Sequence, residues 1–85
     1  MAYAVEIYAG GSRQSVAEAD IAAVGAALEA EGRSIAFIGL VAIPGDEVTF
    51  WLFDAGSREV VDELLARLGV VADRVVEAVT GGLRA

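Results

Sequence analysis

Residues 34–54 read SIAFIGLVAIPGDEVTFWLFD, and this stretch decides the fold class. It contains two runs rich in β-branched and aromatic residues, at 34–43 and 47–54, separated by Pro44-Gly45-Asp46. Such runs predict β-strands, and three turn-forming residues between them predict a β-hairpin. Both strands are apolar at nearly every position, which indicates apolar side chains on both faces of the sheet.

The segments on either side of this hairpin each predict one strand and one helix. Glycines mark most of the boundaries, and the sequence from Ser15 to Glu18 matches a capping box at a helix start. The predicted elements are a strand at 2–9, a helix at 15–31 ended by Gly32, a helix capped by Ser57 and ended by Gly69, and a strand at 74–80. Residues 81–85 predict a loose tail.

The order β-α-β-β-α-β within 85 residues predicts one α+β domain, residues 1–85, of the ferredoxin-like type. Right-handed crossovers place both helices on one face of a four-stranded antiparallel sheet, with strand order 4-1-3-2. Strict alternation along the second strand puts Ile35, Phe37, Val41 and Ile43 on one face and Ala36, Ile38, Leu40 and Ala42 on the other. Two helices cover one face only, so we expect the second to be buried in a homodimer, as a dimeric α+β barrel, or in a larger oligomer. The alternative is a monomer whose second face is covered by its own tail or by a different partner.

The composition excludes several classes of function. The chain has no cysteine and no histidine, which removes disulfides, thiolate chemistry and the commonest general base and metal ligand. Thirteen acidic residues against six arginines give a formal charge of −7, which disfavours nucleic acid and anionic membranes as partners. We therefore expect a cytoplasmic protein without metal or cofactor.

The polar residues of the strands suggest one candidate site. With Val5, Ile7, Trp51, Phe53, Val76 and Ala78 facing the helices, the opposite face would carry Glu6, Tyr8, Asp54 and Glu77 beside Phe50, Leu52, Val75 and Val79. In a closed pocket, mutual repulsion and burial would raise the pKa of at least one carboxyl group, giving a general acid or base or a cation ligand. Alternatively, these residues are solvated at strand ends or paired with arginine from the partner subunit.

Part of the chain resembles a known family. The segment TFWLFDA at 49–55, Ser57, and GVVADRVVE at 69–77 are similar to segments of small bacterial ferredoxin-like proteins, mostly of unknown function, some described as nickel-binding. That family often has Phe-Glu-Ala where Asp54 stands here, and Gly-Leu-Pro-Ala-Asp-Arg-Ile-Val-Glu ending where Glu77 stands. The resemblance implies a dimeric α+β barrel. Nickel sites would be expected to use histidine, which this chain lacks, so no metal is carried over.

A looser resemblance, of architecture alone, is to dimeric α+β barrel proteins that include cofactor-independent monooxygenases, isomerases and cyclases. Three functions remain open from the sequence. The first is an oligomeric binding or accessory protein with a pocket for a small, partly apolar ligand. The second is a cofactor-free enzyme with Glu6, Asp54 or Glu77 as acid or base and Tyr8 orienting the substrate. The third is a structural interaction module.

Overall fold

The computed structural model describes residues 1–8 and 17–78. Its elements follow the predicted order, with a turn of 3-10 helix at Pro44–Asp46 joining the central hairpin. The elements are β1 (Ala2–Tyr8), α1 (Glu18–Ala30), β2 (Ile35–Ile43), β3 (Val48–Ala55), α2 (Arg58–Leu68) and β4 (Arg74–Ala78). The predicted tail at 81–85, like Val79 and Thr80 of the predicted last strand, lies outside the described residues.

The four strands form one antiparallel sheet in the order β2-β3-β1-β4, which confirms the predicted order. Both helices pack on one face of it, because the apolar stripes of α1 and α2 have no other surface on which to leave water. The centre of this core is built from fully buried side chains of both helices and the two central strands: Val5, Ile21, Leu28, Phe53, Val61 and Leu64. The fold is therefore the expected ferredoxin-like α+β arrangement.

The helix ends agree in part with the sequence prediction. α2 ends at Gly69, whose φ of 71° is the left-handed conformation that glycine adopts without strain. Ser57 is the N-cap of α2, but its side chain makes no capping hydrogen bond. α1 begins at Glu18 with Ala17 as its N-cap, later than predicted, and the capping residue Ser15 lies outside the described residues.

The predicted face alternation along β2 is wrong beyond Phe37. A β-bulge interrupts the pairing with β3 between Phe37 and Gly39, and Gly39 has a φ of 154°. One extra residue in a strand reverses the faces of all residues after it. Leu40 therefore lies with its partner Trp51 on the helix face, the face of the sheet that the helices cover. Val41 lies opposite Phe50 on the other face, which carries no helix and is called the open face below.

The faces predicted for β4 are also reversed. Val75 pairs with Val5 and belongs to the helix-side core, whereas Val76 pairs with Ala4 on the open face. Ala78 pairs with Ala2 and so lies on the open face, and Glu77, which pairs with Tyr3, does not. Alternation within five residues shows which side chains share a face, but the strand register decides which set faces the helices.

Candidate functional site

The polar cluster of the sheet is centred on Glu6 of β1. Its Oε1 accepts a hydrogen bond from Nε of Arg74 at 2.8 Å, and its Oε2 accepts one from the hydroxyl of Tyr8 at 2.8 Å. Arg74 is the cross-strand partner of Glu6, so strand register itself brings the two side chains together. Among the residues that the structure describes, Glu6 is the one charged residue that is buried, at 6% exposure. The side chain of Arg74 is 68% exposed.

Backbone contacts fix the geometry of this cluster. The amide of Asp73 donates to the carbonyl oxygen of Glu6 at 2.8 Å, and the amide of Tyr8 donates to Oδ2 of Asp73 at 2.8 Å. These two bonds tie the end of β1 to the residue that precedes β4. These two bonds therefore fix the backbone of β1 and β4 at the positions that carry Glu6, Tyr8 and Arg74.

The electrostatics of the cluster differ from the sequence expectation. Hydrogen bonds from Arg74 and then Tyr8 stabilise the carboxylate, so the pKa of Glu6 is lowered rather than raised. The hydrogen bond between Tyr8 and Glu6 also raises the pKa of the Tyr8 phenol. At neutral pH the cluster therefore contains an anionic carboxylate, a neutral phenol and a guanidinium cation.

The other two predicted carboxylates do not join Glu6. Asp54 is exposed and forms an ion pair at 3.0 Å with the amino group of Met1. It pairs with Ala2, four residues along β1 from Glu6, which corresponds to about 13 Å. Glu77 is exposed and belongs to the helix-side set of β4. Among residues 1–8 and 17–78, no three acidic side chains are grouped as they would be to hold a metal ion.

The apolar residues predicted to line the pocket are also separated. Phe50 and Leu52 lie on the open face of β3, with Phe50 directly opposite Glu6. Val75 is buried on the helix side. Val79 lies outside the described residues. Trp51, predicted to face the helices, is buried in the core. The open face therefore combines Glu6 and Tyr8 with two of the four predicted pocket residues.

A groove of about 340 Å³ lies beside this cluster, between α2 and the segment that leads into β4. Its floor includes the buried side chains of Leu65, Val70 and Val75. Four charged residues also line it: Arg58, Asp62, Asp73 and Arg74. Arg74 thus lines the groove and also binds Glu6.

Sequence reasoning missed both Arg74 and the groove. The sequence predicts Arg74 only as the first residue of a strand, and the register of β1 with β4 shows that it faces Glu6. A signal was present, because a lone glutamate within an apolar strand needs a cationic or hydrogen-bonding partner when it is buried. The groove is formed where α2 ends and the chain turns into β4, and no periodicity predicts such a surface.

The fold and cluster define a small ferredoxin-like α+β protein with helices on one sheet face. No family model matches the chain, and no curated protein matches it. Among solved structures it is similar to SCO4226 from Streptomyces coelicolor A3(2), with a TM-score of 0.64, 20% sequence identity and alignment over 100% of both chains. At that identity the likeness concerns the fold alone. At 13 and 11 residues, α1 and α2 are both shorter than the roughly 20 residues that a membrane-spanning helix needs.

Proposed function

We propose that this chain is a small oligomeric binding protein that takes up a small, partly apolar molecule. The observation that carries the proposal is the groove between α2 and β4. Its volume of about 340 Å³ is near the lower end of the range of small-molecule sites. An apolar floor with a few charged groups around it is also the usual composition of such sites.

The lining residues indicate the chemistry of the ligand. Leu65, Val70 and Val75 offer apolar contact to its body. Arg58 has a largely exposed guanidinium group that would bind a carboxylate or sulfonate, whereas the Nε of Arg74 already donates to Glu6. Asp62 and Asp73 also line the groove and would accept hydrogen bonds from an amine or hydroxyl. A compact molecule with one polar end fits this pattern better than a polyanion does, since the chain carries a net charge of −7.

Self-association is the second part of the proposal. The open face of the sheet carries Phe50, Leu52 and Val76, and Val41 and Ile43 continue it on β2. Packing two such faces together, as in a dimeric α+β barrel, would cover Val41 and Ile43, which are 41% and 38% exposed, whereas Leu52 and Glu6 are already buried within one chain. We also propose the cytoplasm as the location, since a chain without cysteine does not require an oxidising compartment.

The enzymatic alternative receives less support from the cluster. A general base works best with a pKa near the operating pH, and the pKa of Glu6 is shifted down, away from neutrality. The hydrogen bond to Glu6 raises the pKa of the Tyr8 phenol, so this group stays neutral and acts as a hydrogen-bond donor. The pair suits the orientation of a bound group or the support of a strand pair better than it suits proton transfer.

The groove can be tested with an apolar anion as a probe, 8-anilinonaphthalene-1-sulfonate, followed by its fluorescence. Ala66 lines the groove and is exposed, so Ala66→Phe should fill the groove and reduce probe affinity by at least about tenfold. Ala27→Phe, at an exposed position of α1, is the matched control and should bind like the original chain. Circular dichroism checks that both variants fold.

The outcomes separate a ligand site in the groove from a structural interaction module. Loss of binding in Ala66→Phe alone supports a ligand site in the groove. Equal binding in all three proteins means that the probe occupies another surface, such as the open sheet face, and contradicts the groove. An absence of binding in every protein, together with a stable dimer, favours the structural interaction module instead.

A further inference from the structure

The exposed apolar side chains of the described residues are concentrated on one strand. Ile38, Leu40, Val41 and Ile43 of β2 are each between 37% and 44% exposed, and the other large exposed apolar residues, Met1, Tyr8 and Val71, are scattered. β2 is also an edge of the sheet, so one side of its backbone has no neighbouring strand within the described chain.

The two edges of the sheet differ in a way that matters for association. β4 is five residues long and carries Arg74 and Glu77, the kind of charged residues that discourage pairing with another chain. β2 is nine residues long, IAFIGLVAI, and contains no charged residue and no proline. A long uncharged edge strand is a template for adding a further strand, and here the bulge at Gly39 leaves Leu40–Ile43 as its uninterrupted apolar part.

The faces of the exposed residues indicate how a partner would bind. Because the bulge lies before Gly39, Leu40 lies on the helix side of β2 while Val41 and Ile43 lie on the open face. Another sheet stacked on the open face would cover Val41 and Ile43 and leave Leu40 in water. A strand added in the plane of the sheet brings side chains to both faces and covers all three.

The charges at the ends of β2 favour a second copy of this chain in one orientation. Arg33, which also donates to Glu63, stands just before β2, and Asp46 and Glu47 stand just after it. Antiparallel pairing places the Arg33 end of each copy beside the acidic end of the other. Parallel pairing would instead align Asp46 and Glu47 with the same residues of the second copy.

We propose that two copies of this chain associate through antiparallel pairing of their β2 edge strands, which forms one continuous eight-stranded sheet. The apolar segment then meets itself across a two-fold axis, as a symmetric dimer requires. The proposal rests on the self-association proposed above, places it at the β2 edge instead of between two open faces, and does not involve the groove. An unrelated extended peptide is the competing occupant of the same edge.

Amide hydrogen exchange of the intact chain tests this proposal at about 5 µM and about 500 µM. Strand pairing gives hydrogen bonds to those β2 amides that do not donate to β3, whereas stacking of sheet faces gives them none. We expect these amides to exchange at least about tenfold more slowly at the higher concentration. The amides of the β4 edge should show no such dependence on concentration.

Two variants make the result decisive. Leu40→Lys introduces a charge into the edge and should abolish both the protection and the dimer. Ala26→Lys adds the same charge at an exposed position of α1 and should change neither. A dimer whose outward β2 amides exchange freely at all concentrations would overturn the proposal while leaving an oligomeric protein. Protection that appears only with an added peptide would overturn it in favour of that partner.

Discussion

The guanidinium of Arg74 donates from Nε to Oε1 of Glu6 across 2.8 Å, joining the edge strand β4 to the central strand β1. The carboxylate is buried and the guanidinium is largely in water. The buried carboxylate therefore has a cationic partner, and that partner keeps most of its own hydration. The cluster is therefore stable as an ion pair, and its state depends on pH.

Stability should fall on acidification in a way that depends on Glu6. The folded pKa of Glu6 lies below its ordinary value of 4.5 because Arg74 and Tyr8 hydrogen-bond the anion. A carboxyl group with a lowered folded pKa contributes stability above its unfolded pKa, and that contribution is lost as the pH falls through the folded pKa. We expect Glu6→Gln to lower the melting temperature at pH 7 by about 5 °C and to flatten the decline below about pH 4.5.

Urea unfolding midpoints of the original chain and of Glu6→Gln, measured between about pH 3 and pH 7, check this expectation. The two curves should converge as the pH falls. Glu31 and Glu63, whose pKa values are also lowered by arginine partners, keep some acid sensitivity in the variant. Curves that stay parallel over the whole range would show that Glu6 has the same pKa in the folded and unfolded chains.

A second ion-pair network joins the two helices and should matter more than an isolated surface pair. Arg67 of α2 donates to both carboxylate oxygens of Glu31, at 2.9 and 2.7 Å, and to Glu63 at 3.0 Å. Bidentate geometry and several partners distinguish it from the exposed pair of Arg58 with Asp62 at 3.8 Å. We expect Arg67→Gln to lower the melting temperature by up to about 5 °C, and Arg58→Gln to change it by less than about 2 °C.

Salt provides a further check on that network. The two variants and the original chain can be compared by differential scanning calorimetry in low salt and in about 1 M NaCl. This comparison measures how much of the stabilisation by the ion pairs is screened by salt. The difference between the original chain and Arg67→Gln should shrink in high salt. Equal melting temperatures for the two arginine variants at low salt would contradict the importance assigned to the bidentate contact.

Two glycines should respond in opposite directions to alanine. Gly25 lies within α1, and an added Cβ would be 3.8 Å from Cδ1 of Leu64, which is an ordinary packing distance. Because glycine weakens a helix interior, Gly25→Ala should raise the free energy of unfolding by about 0.5–1 kcal/mol. Gly69 has a φ of 71°, so Gly69→Ala should lower it by about 1 kcal/mol. Chemical denaturation measures both, and stabilisation by Gly69→Ala would contradict the left-handed C-cap.

The fold was predictable from the sequence because its signals are local. The hairpin of β2 and β3, the two helices and the end of α2 at Gly69 follow from runs of residue types and from turn chemistry. Chirality rules then leave few ways to connect them, which is why the strand order was also correct. The sequence also predicts apolar residues on both faces of β2, and the structure has them in Leu40 and Val41. Each of the two lies on the opposite face from the one predicted.

The candidate site was less predictable because it depends on register. A single bulge after Phe37 reverses the faces of the rest of β2, and the pairing of Arg74 with Glu6 reverses those predicted for β4. Neither is encoded in the alternation of apolar residues, since Val75 and Val76 are nearly equivalent in chemistry. Glu6 and Tyr8 were found because they are polar residues within an apolar strand. Asp54 lies on the same face but opposite Ala2, away from Glu6, and Glu77 lies on the other face.

We propose above all that this chain associates with itself, since its sheet leaves apolar side chains exposed at Ile38, Val41 and Ile43. Sedimentation equilibrium of the unmodified protein from about 5 to about 500 µM tests that claim most directly. We expect a mass of at least two chains at the upper concentrations. A mass of one chain throughout the range would contradict it.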